Sequence, residues 1–256
     1  ESIAIALTVD PNSTISPQGY QLRIGEKIIE AKSSDKAGLY YAAQTFKQMC
    51  RQSKKGLLCS EVNDFPSLPN RGVMLDVSRD KVPTMQTLKE MIDMFSEFKY
   101  NQLQLYMEHT FAYRGHEKIW QKASPFTGEE ILELDDYCRK HFINLVPNQN
   151  SFAHLGRWLG NEPYRQLAED FNYPEVLNPA DANSIKFLDD LYSQLLPHFS
   201  SSYINVGCDE TVLGKGKTKE LCKQIGPDRV YLDFLLKIHK LVQQKGRTMM
   251  FWADII

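Results

Sequence analysis

Five strand-to-helix units in succession, starting at Arg71, predict an α/β protein built on a parallel sheet. Two further observations choose among such folds. No Gly-x-Gly-x-x-Gly and no phosphate-binding loop follows any strand, which counts against the nucleotide-binding sheets. Polar or aromatic residues follow all five strands: Asp76 and Arg79, Glu108 and His109, Asn150 and His154, Asp209 and Glu210, Trp252 and Asp254. Barrel enzymes gather their active sites from the C-terminal ends of their strands. The expected architecture is therefore a (β/α)8 barrel, about five strands of it in this chain, preceded by a small α+β module.

The module takes residues 1–66. Ile3 to Val9 alternates as a strand does, and the stretches 19–25 and 27–31 form a hairpin turning at Gly25-Glu26. Residues 34–50 place Leu39, Ala42, Ala43, Phe46 and Met49 at helical spacing. Leu57 to Val62 reads as a further strand. Two prolines within 64–70 mark the linker, and the barrel portion takes 67–256.

In the barrel portion, 72–77 is the first strand and 84–98 a helix with Leu88, Met91, Ile92, Phe95 and Phe98 on one face. Leu103 to Met107 is the second strand. Thr127-Gly-Glu-Glu130 has the form of a capping box and opens a helix to His141. Ile143 to Pro147, Tyr203 to Gly207 and Met249 to Trp252 complete the strands. Helices over 184–199 and 231–242 lie between them, the latter stopped at Gly246.

Bulk properties exclude several classes. A net charge of −2 with mixed signs gives no electrostatic case for nucleic acid or an anionic membrane surface. No apolar run reaches the length of a membrane span. Five scattered cysteines without a Cys-x-x-Cys pair argue against a zinc site and a disulfide framework, and most are expected to be small buried hydrophobes. They tilt the expectation toward the cytoplasm over a periplasmic or secreted setting. No metal and no organic cofactor is called for, and nothing bears on oligomeric state. Both termini fall within strand-like runs, which carries the expectation of a fragment short of three barrel strands and inactive by itself.

The sharpest chemical signal is Ser202-Tyr-Ile-Asn-Val-Gly-Cys-Asp-Glu-Thr211. Two adjacent carboxylates where a buried strand ends repel each other, and one is driven toward its protonated form. Proteins keep such pairs mainly where one carboxyl serves as an acid while the other stays ionised. The competing reading is a pair of solvated caps at a strand-to-loop junction.

With these residues in place, the chain resembles glycoside hydrolase family 20, the β-N-acetylhexosaminidases. The likeness rests on Asp64-x-Pro66 through Arg71-Gly-Val-Met-Leu-Asp76-Val-Ser-Arg79 and on Asn205-Val-Gly-Cys-Asp209-Glu210. It is strongest to the hexosaminidase D type, through Glu108-His-Thr-Phe-Ala-Tyr113, Asn150-Ser-Phe-Ala-His154 and the cysteine before Asp209. The resemblance implies retaining hydrolysis of a terminal β-linked GlcNAc or GalNAc, with the sugar's own acetamido carbonyl as nucleophile, an exception to the two-protein-carboxylate scheme. Glycans ending in N-acetylhexosamine are the implied partners.

By that resemblance Glu210 is the general acid and base, and Asp209 accepts the acetamido N–H and steadies the oxazolinium charge. Arg71 grips sugar hydroxyls, Trp252 walls the acetamido pocket, and His154, Glu108 and Asn150 complete the substrate site. Neighbouring strand residues face opposite ways, so the chain must bend near Gly207 for both acids to serve one sugar. Asp76 and Arg79 are expected to pair with each other. The chain departs from larger family members at Gln104-Leu-Tyr106 with Glu108-His109, and at Asn150, where they carry His-x-His with paired Asp and an acid. Rival readings are a carbohydrate-binding barrel without turnover and a chitinase-like or O-GlcNAcase-like glycosidase.

Overall fold

A computed structural model describes residues 2–254. Among these residues nine strands and eight α-helices follow one another: β1 (Ala4–Val9), β2 (Tyr20–Ile24), β3 (Ile28–Ser33), α1 (Lys36–Gln52), β4 (Ser60–Asp64), β5 (Gly72–Asp76), α2 (Met85–Glu97), β6 (Gln102–Met107), α3 (Glu117–Trp120), α4 (Gly128–Lys140), β7 (Asn144–Gln149), α5 (Gly156–Leu159), α6 (Ala182–Leu195), β8 (Tyr203–Asn205), α7 (Lys219–Ile225), α8 (Pro227–Gln244) and β9 (Thr248–Met250). The expected elements are present, most within three residues of their predicted ends. The short helices α3, α5 and α7 escape sequence reading because four to seven residues carry too little periodicity to register.

Packing divides the chain into two compact units. One holds the residues up to Val73 together with Lys89–Gln102 and Cys138–Ile143. Its sheet runs in the order β1-β3-β2-β4, with β2 antiparallel to both neighbours and β1 parallel to β3. Tyr20, Leu22 and Ile24 of β2 and Ile29 and Ala31 of β3 alternate onto one face, where Tyr41 and Ala42 of α1 close the core. Asp35 caps α1 by accepting the Gly38 N–H at 2.7 Å. The second half of α2 belongs to this unit by its bonds: the Tyr40 hydroxyl lies 2.6 Å from that of Ser96, and Lys47 and Arg51 both pair with Glu97.

The other unit holds Met74–Leu88, Leu103–Tyr137 and the chain from Asn144 onward. The five strands β5 to β9 lie side by side in chain order, and the pairs β7–β8 and β8–β9 run parallel. Chain-order adjacency with a helix in each crossover is the barrel-type βα succession expected from the sequence. One sheet face is apolar: Leu103, Leu105, Leu145, Ile204 and Val206 are buried, as are Leu188, Leu191, Ile238 and Leu241 on α6 and α8. The opposite face is amide-rich. Asn148 and Asn205, directly paired in register, both donate to Gln104 Oε1, at 3.1 and 3.0 Å. Buried amides hold the strands in one register through mutual bonds, which a purely aliphatic layer does not require.

The cysteines depart from expectation. Cys138 and Cys208 are buried, Cys222 is half-buried, and Cys50 and Cys59 are exposed, because both flank the surface turn after α1. Among the described residues no helix is long and apolar enough to cross a membrane.

Candidate active site at the strand ends

The acidic pair sits on a strained turn. β8 ends at Asn205, and Gly207, Cys208 and Glu210 all take left-handed backbone, with φ of 67°, 71° and 48°. That is the bend required near Gly207. It turns both carboxylates toward one imidazole: His154 Nε2 lies 3.5 Å from Asp209 Oδ2 and 3.6 Å from Glu210 Oε2. His154 itself has a φ of 57°. Non-glycine residues in this region are uncommon and concentrate where function over-determines geometry.

The segment after β9 and helix α8 hold the turn in place. The Trp252 N–H donates to the Gly207 carbonyl at 3.0 Å, the Asp254 carboxylate accepts the Glu210 N–H at 3.2 Å, and the Tyr231 hydroxyl donates to the Cys208 carbonyl at 2.9 Å. Beyond the pair, Glu169 is buried and accepts the N–H groups of Gly216 and Thr218, each at 3.1 Å, and the Thr218 hydroxyl. A carboxylate with that many donors fixes the loop that leaves the acids.

The two acids differ in exposure. The Asp209 side chain is 24% exposed and Glu210 75%. Asp209 Oδ1 is buried and has no hydrogen-bond partner among the described residues. The half-desolvated setting expected of both acids therefore holds for Asp209 alone.

A second cluster joins the ends of β5 and β6. Arg79 Nε donates to Asp76 Oδ2 at 2.7 Å and lies 3.8 Å from Glu108 Oε1, with its guanidinium 4.8 Å from the Tyr106 ring centre. The Tyr106 hydroxyl donates to Glu108 at 2.9 Å, and the Ser78 hydroxyl accepts the Glu108 N–H at 2.7 Å. Burial raises the Glu108 carboxyl above the usual range, outweighing the pull of Tyr106, Arg79 and His154. Burial, with Glu108 beside it, pushes the Tyr106 hydroxyl up as well, so it remains a donor. Trp158 is fully buried and donates its indole N–H to the Glu108 carbonyl at 2.7 Å.

Arg71 stands elsewhere. It precedes the first residue of β5, and its guanidinium is saturated: Nε and Nη2 donate to the Lys99 carbonyl at 2.9 and 2.8 Å, Nη1 to the Leu68 and Pro69 carbonyls at 2.7 and 3.3 Å, and Nη2 to Gln18 Oε1 at 2.9 Å. No donor is left for a sugar. Arg79, one residue set further along the same motif, follows the strand, and its terminal nitrogens make no hydrogen bond among the described residues. Its position after a strand was the signal that separates the two arginines.

Asn150 is buried rather than exposed to a ligand. A Cβ on Gly207 would come 2.1 Å from Asn150 Oδ1, so glycine is required there by space as well as by φ. Trp252 is 41% exposed, so its indole is not core packing. Sequence reasoning passed over Tyr106, Trp158 and Ser78 because a buried aromatic and a strand-end hydroxyl look like ordinary structure. Among the described residues no group of three or more His, Cys, Asp or Glu is placed to hold a metal ion. A cavity of about 500 Å3 lined by Phe111, Arg114 and His198 shares no residue with the acidic cluster.

Comparison with known proteins decides the family. The catalytic domain of glycosyl hydrolase family 20 matches residues 68–256, and domain 2 of the same family matches residues 1–65. The chain belongs to glycosyl hydrolase family 20. It is 25% identical over 269 residues to a lacto-N-biosidase of Bifidobacterium bifidum, covering 99% of this chain and 24% of that protein. Hexosaminidase D of Bos taurus is 24% identical over 181 residues, covering 68% of this chain and 52% of that one. A solved β-N-acetylhexosaminidase from Bacteroides fragilis superposes with a TM-score of 0.81 at 25% identity, covering all of this chain and 55% of that one. The chain thus spans from about a quarter to about half of the length of these relatives.

Proposed function

We propose that the protein is an exo-acting, retaining β-N-acetylhexosaminidase that removes terminal β-linked GlcNAc or GalNAc from glycans. The observation that carries this reading is the unequal acid pair: a solvent-facing Glu210 and a partly buried Asp209 with an unpaired oxygen, both within 3.6 Å of His154.

In the first step the acetamido carbonyl oxygen of the substrate attacks its own anomeric carbon as the bond to the leaving oxygen breaks. Glu210 gives its proton to that oxygen, a transfer that suits a carboxyl reachable from solvent and aglycone. Asp209 stays ionised, accepts the acetamido N–H and offsets the positive charge of the oxazolinium ring. In the second step water attacks the anomeric carbon, Glu210 takes its proton, and the ring reopens to the acetamide. The anomeric configuration is retained through two inversions. His154 holds both carboxylates in register. Arg79 and Glu108 bind sugar hydroxyls, with Asp76 and Tyr106 fixing their orientation. Trp252 stacks on the apolar face of the acetamido group.

The test is hydrolysis of alkyl β-GlcNAc and β-GalNAc glycosides by the full-length protein and its Glu210→Gln variant, followed by release of the free sugar. The variant is expected to lose about a hundredfold to ten-thousandfold in kcat on an alkyl glycoside, the range for a missing general acid. Undiminished turnover would remove Glu210 from that role. A wild-type protein that binds but never cleaves would leave the carbohydrate-binding alternative.

A further inference from the structure

Helix α8 reaches the acidic turn with one buried side chain. Tyr231, in the second turn of that helix, is 3% exposed, and its hydroxyl donates to the Cys208 carbonyl at 2.9 Å. That carbonyl belongs to the planar peptide group joining Cys208 to Asp209, so a bond to it fixes the plane from which Asp209 departs. It does so where Gly207 and Cys208 are both left-handed, with φ of 67° and 71°. A second donor to the same oxygen is longer: the Thr211 hydroxyl lies 3.3 Å away and is shared with the Asp209 carbonyl at 3.2 Å.

The ring of the same tyrosine serves the other side of the site. It stacks on Phe152, with ring centres 5.5 Å apart and planes 19° from parallel. Phe152 is fully buried, stands two residues before His154, and packs also on Phe234 of α8 at 4.6 Å. Its carbonyl accepts the Leu177 N–H at 2.9 Å, so the segment leading to His154 has little freedom. His154 is itself left-handed, with a φ of 57°. Two turns that backbone preference alone would not hold therefore meet on one side chain, one at its hydroxyl and one at its ring.

Phenylalanine would fill the same space, so packing gives the hydroxyl no purpose. Its acceptor does: the bonded peptide is the last one before the acid pair. Burial, then Cys208, Asp254 and Asp209, pushes the pKa of that hydroxyl up, so it keeps its proton and donates throughout the neutral range.

We propose that Tyr231 is a positioning residue, which sets Asp209 and Glu210 in register with His154 by holding both turns from helix α8. The proposal rests on the glycosidase reading of those three residues. It makes the geometry of the acids depend on a side chain too buried to touch the sugar.

The experiment uses the full-length protein and two variants. Tyr231→Phe removes the hydroxyl and keeps the ring. Tyr20→Phe removes a buried tyrosine hydroxyl, bonded to Thr45 and Asp64, from the other compact unit and serves as the control for stability. Each is assayed on an alkyl β-GlcNAc glycoside, whose leaving oxygen needs a proton, and on the dinitrophenyl glycoside, whose leaving group departs without one. Tyr231→Phe is expected to lower kcat about tenfold on the alkyl glycoside and less on the dinitrophenyl one, with KM nearly unchanged. Tyr20→Phe is expected to lower Tm and leave both kcat values as they are. A lower folded fraction scales both substrates alike, so equal losses in Tyr231→Phe, or no loss, overturn the proposal. Crystal structures of the wild type and Tyr231→Phe supply the arm that needs no turnover. The variant is expected to show the peptide before Asp209 rotated and both carboxylates withdrawn from His154 Nε2, and an unchanged turn overturns the proposal. Where the wild type cleaves neither glycoside, the glycosidase reading fails by itself and the structures alone decide: a displaced pair upholds the hold of Tyr231 on the turn, and an unchanged pair ends it.

Discussion

Two polar clusters, one in each compact unit, are built to opposite specifications. Around Tyr20, Asp64, Lys99 and Arg71 every charged group has found its partner. Lys99 donates to Asp64 at 2.7 Å and to Tyr20 at 2.9 Å, Tyr20 donates to Asp64 at 3.0 Å, and Arg71 is filled by carbonyls. Around His154, Asp209 and Glu210, three residues of the turn and the histidine itself sit in left-handed backbone, one carboxylate oxygen lacks a donor, and one acid faces solvent. The first arrangement is what stability alone produces. The second gives up local stability, and proteins keep such features where a ligand completes them.

Substitutions that exchange these properties should break the contrast. The largest effect is expected from Gly207→Ala, which sets a Cβ 2.1 Å from Asn150 Oδ1 at a φ of 67°. Turnover should vanish, with a stability loss of roughly 2 kcal/mol or more by denaturant titration. Next are the two arginines that flank β5. Arg79→Gln should lower kcat/KM about a hundredfold with little change in Tm. Arg71→Gln should cost about 2 kcal/mol of stability and leave KM unchanged once the protein is folded. The reverse pattern would show that the roles are exchanged.

Glu108→Gln offers a finer comparison. Burial already disfavours the charge, so the neutral amide is expected to hold or slightly raise Tm while substrate affinity falls. Smaller still are the pH effects, which separate the two units by window. Burial holds His109 below its ordinary 6.5, at about 4, so the unfolded chain takes up its proton first. That contribution is intact above pH 6.5 and is lost as pH falls toward 4. Asp64 is pulled down by Lys99 and Tyr20 against the upward push of burial, so its contribution is present above the ordinary carboxylate pKa and is lost only in stronger acid. His109→Gln should flatten the first limb of Tm against pH, and Asp64→Asn the second.

The contrast also explains what the sequence made legible. Strand and helix order followed from periodicity, because each element buries one face and period carries that information. Asp209 and Glu210 stood out because adjacent acids at a strand end are uncommon. Their required bend appears at Gly207, a residue with both the φ freedom and the lack of bulk to supply it. Residues 71–79 carry an arginine at each end of β5, alike in type, and only the strand's direction separates them: Arg79 follows the strand and Arg71 precedes it. Asn150 likewise reads as a polar strand-tip residue, yet it lies buried beneath the Gly207 turn.

The central claim is that the substrate's amide does the nucleophilic work while Asp209 steadies it. It is tested most directly by a series of β-GlcNAc substrates whose acetamido methyl carries none, one, two or three fluorines. Each fluorine weakens the carbonyl oxygen as a nucleophile and leaves the sugar's size nearly unchanged. A steep, graded fall in kcat/KM across the series is the expected result, and rates indifferent to fluorination would contradict it.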